Sequence, residues 1–365
     1  MRAAAGAACA GSSRRNNQWR GPGAAGFAGR VRIEGFDPGA EPAKVGACYR
    51  LYVEGLPIDD PNGPPMSEVV FTGWVSRGFA GEPREAALAL DGTGGSPAGA
   101  YVLELPHRRN THSGYLVIMV APGERRRGYG TALLRHAARR AAAHSRTLFA
   151  GDTLIGAPGS AFAAAAGARA GVVAVRRVLD LASIEPGFLA RLRDKAVAAA
   201  PGYSLVSWAG ATPGELLPGV ATVSAAMADA PHNPGYKPGG PDVQRVRDGE
   251  ASSLEMGIRR YSVAARCDRT GEMAGLTQTG IDPADPGWAY QFVTAVAREH
   301  RGHRLGLLVK IAMLEMLAEA EPGVRRVLTD NADANQHMIA INDELGFRVL
   351  DRWQTWELDV AAVTG

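Results

Sequence analysis

The stretch that decides the fold is YLVIMVAPGERRRGYG, residues 115–130, and a second version, YQFVTAVAREHRGHRLG, fills residues 290–306 with its basic hexad 176 positions after the first. Each version reads as an apolar strand, a short loop, an arginine-led hexad (Arg125 to Gly130, Arg301 to Gly306) and a helix. A helix start carries unpaired backbone N–H groups and a partial positive charge, so a loop of small residues feeding into it makes a cradle for phosphate. Flanking arginines add charge-assisted bonds to phosphate oxygens. A weaker echo precedes each hexad, Asp59-Asp60-Pro61 and Asp229-Ala230-Pro231. Solenoid repeats recur every ~20 to 50 residues, so this longer period predicts tandem domains.

Around each hexad the periodicities predict one order: strand, two helices, three strands, then the hexad helix, a strand, a helix and a last strand. In the first half the last strand is expected over 172–181, and in the second over 347–358. The fold class is mixed α/β, each half a mixed central sheet with an antiparallel meander, flanked by helices. We expect a disordered extension over 1–29, one domain over 30–183, a joining helix within 184–202 and a second domain over 203–360. The helix expected over 303–320 is apolar nearly all round, so Leu307, Ile311 and Leu314 need cover on two faces, from its own sheet and from the partner domain or a second chain.

The 365 residues suit about two domains at ~150 residues each. With 40 Lys and Arg against 37 Asp and Glu, net charge is only +3, which gives no global field for nucleic acid. No apolar run approaches the ~18 residues a membrane span needs. Cys9, Cys48 and Cys267 are odd in number with no CxxC spacing, which points away from a disulfide framework or zinc site and toward a reducing, cytoplasmic setting. The first 30 residues mimic a signal peptide but have no apolar central region. The expected state is a monomer or homodimer, with no metal.

Two readings fit the first cradle. A dinucleotide fold would use Gly128-Tyr129-Gly130 with Asp152 as ribose-binding acid, but Leu133 stands at the third glycine position and the upstream pattern is antiparallel. The other rests on Val120-x-Pro122-x-x-Arg125-x-x-Gly128-x-Gly130, which resembles motif A of the GCN5-related N-acetyltransferases (GNAT) in full. The second half is similar to that family through Arg301 to Gly306 and through Asn331 to Phe347, which is close to motif B with its Leu345-Gly346-Phe347 ending. The resemblance covers residues 30–360 as two copies, as in tandem members of the family. It implies acetyl-CoA or another acyl-CoA as co-substrate and a small-molecule or peptide amine as acceptor. It places Ile118, Met119 and Val120, or Thr294, Ala295 and Val296, beside the pantetheine arm. It places Arg125, Arg126, Arg127, Gly128, Tyr129, Gly130 and Thr131, or Arg301, Gly302, His303, Arg304, Leu305 and Gly306, around the pyrophosphate. Asn331 and Asn335 are expected on the cofactor arm.

The departures bear on chemistry. Arg304 replaces the first motif glycine of the second copy, expected to sit in a right-handed helix start with its side chain outward. The tyrosine that many members place four residues before the motif B glycine, as acid for the leaving thiolate, is Asn342 here and Ala163 in the first copy. An ammonium must lose its proton before it attacks, and the oxyanion then needs a donor. Glu299 and His300 are the candidate bases, with Asp229 and Glu255, or Asp60, Glu104 and His112, as further ones; the N–H of Val296 or Val120 is the candidate donor. His300 and His303 lie beside Arg298, Arg301 and Arg304, which disfavours a cation there. The expected function is acyl transfer from acyl-CoA to a primary amine by direct attack in a ternary complex, the second copy carrying the chemistry. The contrasting expectation is a non-catalytic acyl-CoA-binding or scaffold protein.

Overall fold

The structure, a computed structural model, describes residues 31–79, 81–92 and 95–364; the extension expected over 1–29 lies outside the described residues. The first half runs β1 (Val31–Phe36), α1 (Pro42–Asp59), α2 (Glu68–Arg77), β2 (Arg84–Asp91), β3 (Pro97–Glu104), β4 (Ser113–Val120), α3 (Tyr129–Ala143), β5 (Leu148–Leu154), α4 (Pro158–Ala165) and β6 (Arg169–Asp180). The second runs α5 (Phe188–Ala198), β7 (Tyr203–Ala209), α6 (Leu217–Ala225), α7 (Val243–Glu255), β8 (Arg259–Cys267), β9 (Met273–Ile281), β10 (Trp288–Val296), α8 (Leu305–Ala320), β11 (Arg326–Ala332), α9 (Gln336–Glu344), β12 (Arg348–Asp359) and α10 (Val360–Thr364). Helix starts follow local chemistry: Ser67, Asp242 and Asn335 each accept a hydrogen bond from an N–H three residues on, capping α2, α7 and α9.

The twelve strands of the described residues form one sheet in the order β1-β2-β3-β4-β5-β12-β6-β11-β10-β9-β8-β7, which reads the same from either edge once β7 to β12 are taken as the copies of β1 to β6. The strand expected to finish the first half, β6, pairs antiparallel with β11 and not with β5. The strand that follows the second half's motif, β12, pairs with β5 instead. β6 and β12 then pair with each other and close the middle of the sheet. Each half therefore completes its sheet with the other half's last strand.

The helix after each exchanged strand goes with it. Past β6, α5 packs Leu192 and Ala196, with Ala200 just beyond its end, into the core that holds Leu305, Leu307, Ile311 and Leu314 of α8. Past β12, α10 sets Val360 and Val363 against α3 with Leu133, Leu134, Ala137 and Ala141. The two-sided cover expected for α8 is thus real, but its second side is the joining helix α5 and not a partner domain. α3, whose outer face is basic, needs only the five-residue α10.

Candidate acyl-CoA and acceptor site

In both halves the strand before the cradle parts from its parallel neighbour. β4 pairs with β5 only over Ser113–Tyr115, and β10 with β11 only over Trp288–Gln291. Beyond these points β5 and β11 are held by the exchanged strands β12 and β6, while β4 and β10 stay on β3 and β9. The result is a V-shaped opening with one free backbone edge, on which Ile118, Met119 and Val120, and Thr294, Ala295 and Val296, all lie. β10 also has a bulge between Gln291 and Val293, at the apex, whereas β4 runs in unbroken register with β3. A bulge turns its strand away from a neighbour, so the second opening is the better formed at its apex.

At the wide end of each V lies the cradle. The backbone N–H groups of residues 126–131 and 302–307 find no acceptor among the described residues, and they converge on a helix N-terminus with no side-chain cap. A Cβ on Gly128 or Gly302 would meet nothing within 4 Å, so these faces are open. Gly130 and Gly306 serve packing: a Cβ there would press on Phe162 at 3.2 Å and Ile341 at 3.0 Å. Tyr129 and Leu305 are buried in the core, which leaves only their N–H groups to face a ligand.

The arginines divide into braces and surface charges. Arg125 Nε donates to the Val120 carbonyl at 3.1 Å and its Nη2 to Asp59 at 2.6 Å. Arg301 repeats this on the Val296 carbonyl at 3.3 Å and on Asp229 at 2.7 Å. The aspartates that echo each other in the sequence therefore fix the loops. Asp229, expected as a possible base, is held by Arg301 and Arg298, whose hydrogen bonds and charge lower its pKa below the ordinary carboxylate range. Arg127 pairs with Glu124, and Arg126 is exposed.

Both loops need left-handed backbone at their second and fourth hexad positions. The first copy uses Arg126 (φ 65°) and Gly128 (φ 86°); the second uses Gly302 (φ 89°) and Arg304 (φ 53°). Contrary to the expectation of a right-handed helix start, Arg304 is left-handed, and α8 begins only at Leu305 because of it. A left-handed L-residue costs roughly 1–2 kcal/mol, partly offset by the ~1 kcal/mol of backbone entropy that glycine loses. Arg126→Gly should therefore stabilise the protein by about 0.5–1 kcal/mol. Arg304→Gly should gain less, because it also removes the surface pair with Glu344. Thermal melts of the two variants check the order.

Motif B is occupied differently from the expectation. Asn335 Oδ1 caps α9 by accepting from the Met338 N–H, so its oxygen is engaged at the helix start. Asn342 is 1% exposed and engaged at both ends of its amide: Oδ1 accepts from Lys310 Nζ at 2.5 Å, and Nδ2 donates to Asn331 Oδ1 at 3.1 Å. The role this leaves to Asn342 is to position Asn331. Lys310 lies over the Phe347 ring at 4.8 Å, and burial pulls its pKa down to about 7. The sequence marked Lys310 only as a charge on an apolar helix.

Glu299 is exposed in the turn after β10, and His300 Nδ1 lies 3.0 Å from the Tyr203 hydroxyl, with His303 against the same ring. Both candidate bases stand at the cradle end. The other candidates are also committed: Asp60 to Arg176, Glu104 to Arg84, Glu255 to Arg77, and His112 to the Gly235 carbonyl. Among the described residues no group of three or more His, Cys, Asp or Glu could hold a metal ion, and no helix is long and apolar enough to cross a membrane.

Both apices open toward one cavity of about 930 Å³ between the halves, lined by Met66, Val70 and Tyr115 from one side and Tyr290, Phe292 and Arg260 from the other. At each apex a tyrosine hydroxyl donates to an aspartate on the next strand: Tyr115 to Asp152 at 2.6 Å and Tyr290 to Asp330 at 2.7 Å. Burial, then the aspartate charge, raises both phenols well above their ordinary range, so each keeps its proton. Asp152, a possible ribose acid in the dinucleotide reading, is this partner instead. Burial raises its carboxyl pKa, and the charge of Asp330 adds to the shift.

The model for the acetyltransferase (GNAT) family matches residues 47–154. A tandem GNAT protein from the clavulanic acid biosynthesis pathway is 31% identical, with a TM-score of 0.76 over 90% of this chain and 98% of that one. This chain belongs to the GNAT family. It is a tandem GNAT acetyltransferase, and the family's co-substrate is acetyl-CoA. A GCN5-related N-acetyltransferase from Sphaerobacter thermophilus shares the fold at 16% identity, with a TM-score of 0.59 over 90% of this chain and 96% of that one. A putative acetyltransferase from Pyrococcus horikoshii does so at 12% identity, with a TM-score of 0.53 over 90% of this chain and 89% of that one. No curated protein matches the tandem GNAT chain.

Proposed function

We propose that this tandem GNAT protein moves an acetyl group from acetyl-CoA to a primary amine of a small molecule, by direct attack in a ternary complex, at the second V-shaped opening. The observation that carries the proposal is the continuous path from a cradle of unpaired N–H groups, along a free strand edge, to a bulged apex that faces a cavity. The pyrophosphate would lie on the N–H groups of residues 302–307 and the pantetheine arm along Thr294 to Val296. Residues 126–131 and Ile118 to Val120 would hold a second acyl-CoA in the first half, where the strand lacks the bulge.

In this reading the acceptor ammonium enters from the cavity, and Asp330 takes its proton through the Tyr290 hydroxyl or a water. The amine lone pair then attacks the thioester carbon. The oxyanion is met by a backbone N–H at the bulge, Phe292 or Val293, because Val296 lies ~10 Å further toward the cradle at ~3.3 Å per residue. As the C–S bond breaks, the proton still carried by the attacking nitrogen passes through water to the leaving thiolate, with no titrating group at position 342.

The test is release of CoA thiol from acetyl-CoA across an amine panel with the full chain. Asp330→Asn should lower kcat/KM roughly 10²-fold or more with acetyl-CoA binding unchanged, as loss of a general base does, while Asp152→Asn should leave most of the turnover. Loss from Asp152→Asn alone would move the chemistry to the first half. Thiol release unaffected by either change would remove the dyads from the mechanism.

A further inference from the structure

The halves differ at one cross-strand pair that faces the shared cavity. In the first half Arg84 on β2 stands opposite Glu104 on β3 and forms an ion pair with it. In the second half the equivalent pair is Arg260 on β8 opposite Gly280 on β9, so the carboxylate is missing. Glycine is required there, since a Cβ would come within 2.4 Å of the Phe292 ring. Arg260 is nevertheless buried, with its side chain 10% exposed, and it lines the cavity.

Nothing nearby fully replaces the lost partner. Arg260 Nη1 donates to Ser253 Oγ at 3.2 Å, and Glu250 forms only a long ion pair with it, 4.0 Å from Nη2 and beyond hydrogen-bond range; the Arg260 Nε has no acceptor, as is also true of Arg84. Thr212 holds the Glu250 carboxylate by both oxygens, through its N–H at 2.9 Å and its hydroxyl at 2.6 Å, and so fixes it at this distance from Arg260. A buried guanidinium left short of acceptors is costly to keep unless something else completes it. An aromatic neighbour, Phe292, has its ring centre 5.4 Å from Arg260 Cζ and 5.5 Å from the Tyr290 ring. One ring therefore separates the cation from the apex where the amine would react.

Resting on the acyl-transfer reading, we propose that the acceptor is a short amine bearing a carboxylate, of amino-acid size, whose carboxylate completes Arg260 while its amine lies at Tyr290. Two copies of one fold, one with its arginine neutralised internally and one with it open to the cavity, divide the roles: the second half selects the acceptor's anionic end.

The test uses the full chain with CoA present and, as probes, matched products: N-acetylglycine, N-acetyl-β-alanine and N-acetylphenylalanine against their amides, by calorimetry or saturation-transfer NMR. At least one acid should bind roughly 10- to 100-fold more tightly than its amide, the usual worth of a charged hydrogen bond. Arg260→Gln should erase that preference and Arg260→Lys retain part of it, with CoA binding unchanged in both. Acids and amides binding alike, no acid binding, or a preference that survives Arg260→Gln would each overturn the proposal. The comparison on the unaltered protein decides the matter even where the Gln variant does not fold. Thiol release and CoA binding judge the acyl-transfer reading separately.

Discussion

Gly128→Asp should abolish acetyl-CoA binding at the first cradle and leave the fold in place. Gly128 lies between the unpaired N–H groups of residues 126–131, at φ 86°, a backbone that aspartate tolerates better than most residues. A Cβ there meets nothing within 4 Å, so the new side chain makes no clash. Its carboxylate would instead occupy the N–H groups and repel the pyrophosphate. Titration calorimetry should show the stoichiometry falling by one site, while Gly128→Ala weakens binding only in part. An unchanged stoichiometry in the Asp variant would show that the cradle does not hold the nucleotide.

Lys310→Met should make stability less dependent on pH. Burial without a counter-ion lowers the Lys310 pKa from 10.5 to about 7, so the unfolded chain holds a proton that the folded chain lacks between these values. The penalty for burying the charge is fully present below pH 7 and fades as pH rises toward 10.5, at about 1.4 kcal/mol per pH unit. Methionine removes that penalty and leaves Asn342 Oδ1 without its donor, a loss of roughly 1–3 kcal/mol that does not titrate. Urea melts from pH 6 to 9 should show the wild type gaining on the Met variant above pH 7. Parallel curves would mean that Lys310 keeps its proton in the fold.

The cradles and the order of elements were legible because their signals are local: apolar strands, an arginine-led hexad, helix periodicity. The strand exchange was not, since β6 and β12 are strands of equal length and similar pattern, and nothing in either names its neighbour. The same ignorance misassigned the second cover of α8, although its need for cover was plain from Leu307, Ile311 and Leu314. Asn335 shows how one residue type serves two ends, since an asparagine before a helix caps it as readily as it binds a ligand. The paired Tyr115–Asp152 and Tyr290–Asp330 contacts had a signal, a tyrosine early in each strand and an aspartate closing the next, that only a comparison of the two copies brings out. Arg260 had none until its register partner was known to be Gly280.

The exchanged strands also set a timetable for synthesis. β5 leaves the ribosome with residue 154, but its neighbour β12 is complete only with residue 359. At ~5–20 residues per second, that strand edge waits roughly 10–40 s for its partner, with the core of α3 still lacking Val360 and Val363. The first half, although made first, is the last to be completed. A nascent chain that stalls before β12 is made would present unpaired edges on both sides of the gap where β12 belongs, the kind of surface that other chains pair with. Quality control of this fold is therefore concentrated on the synthesis of one strand, a short stretch of translation that settles the fate of everything made before it.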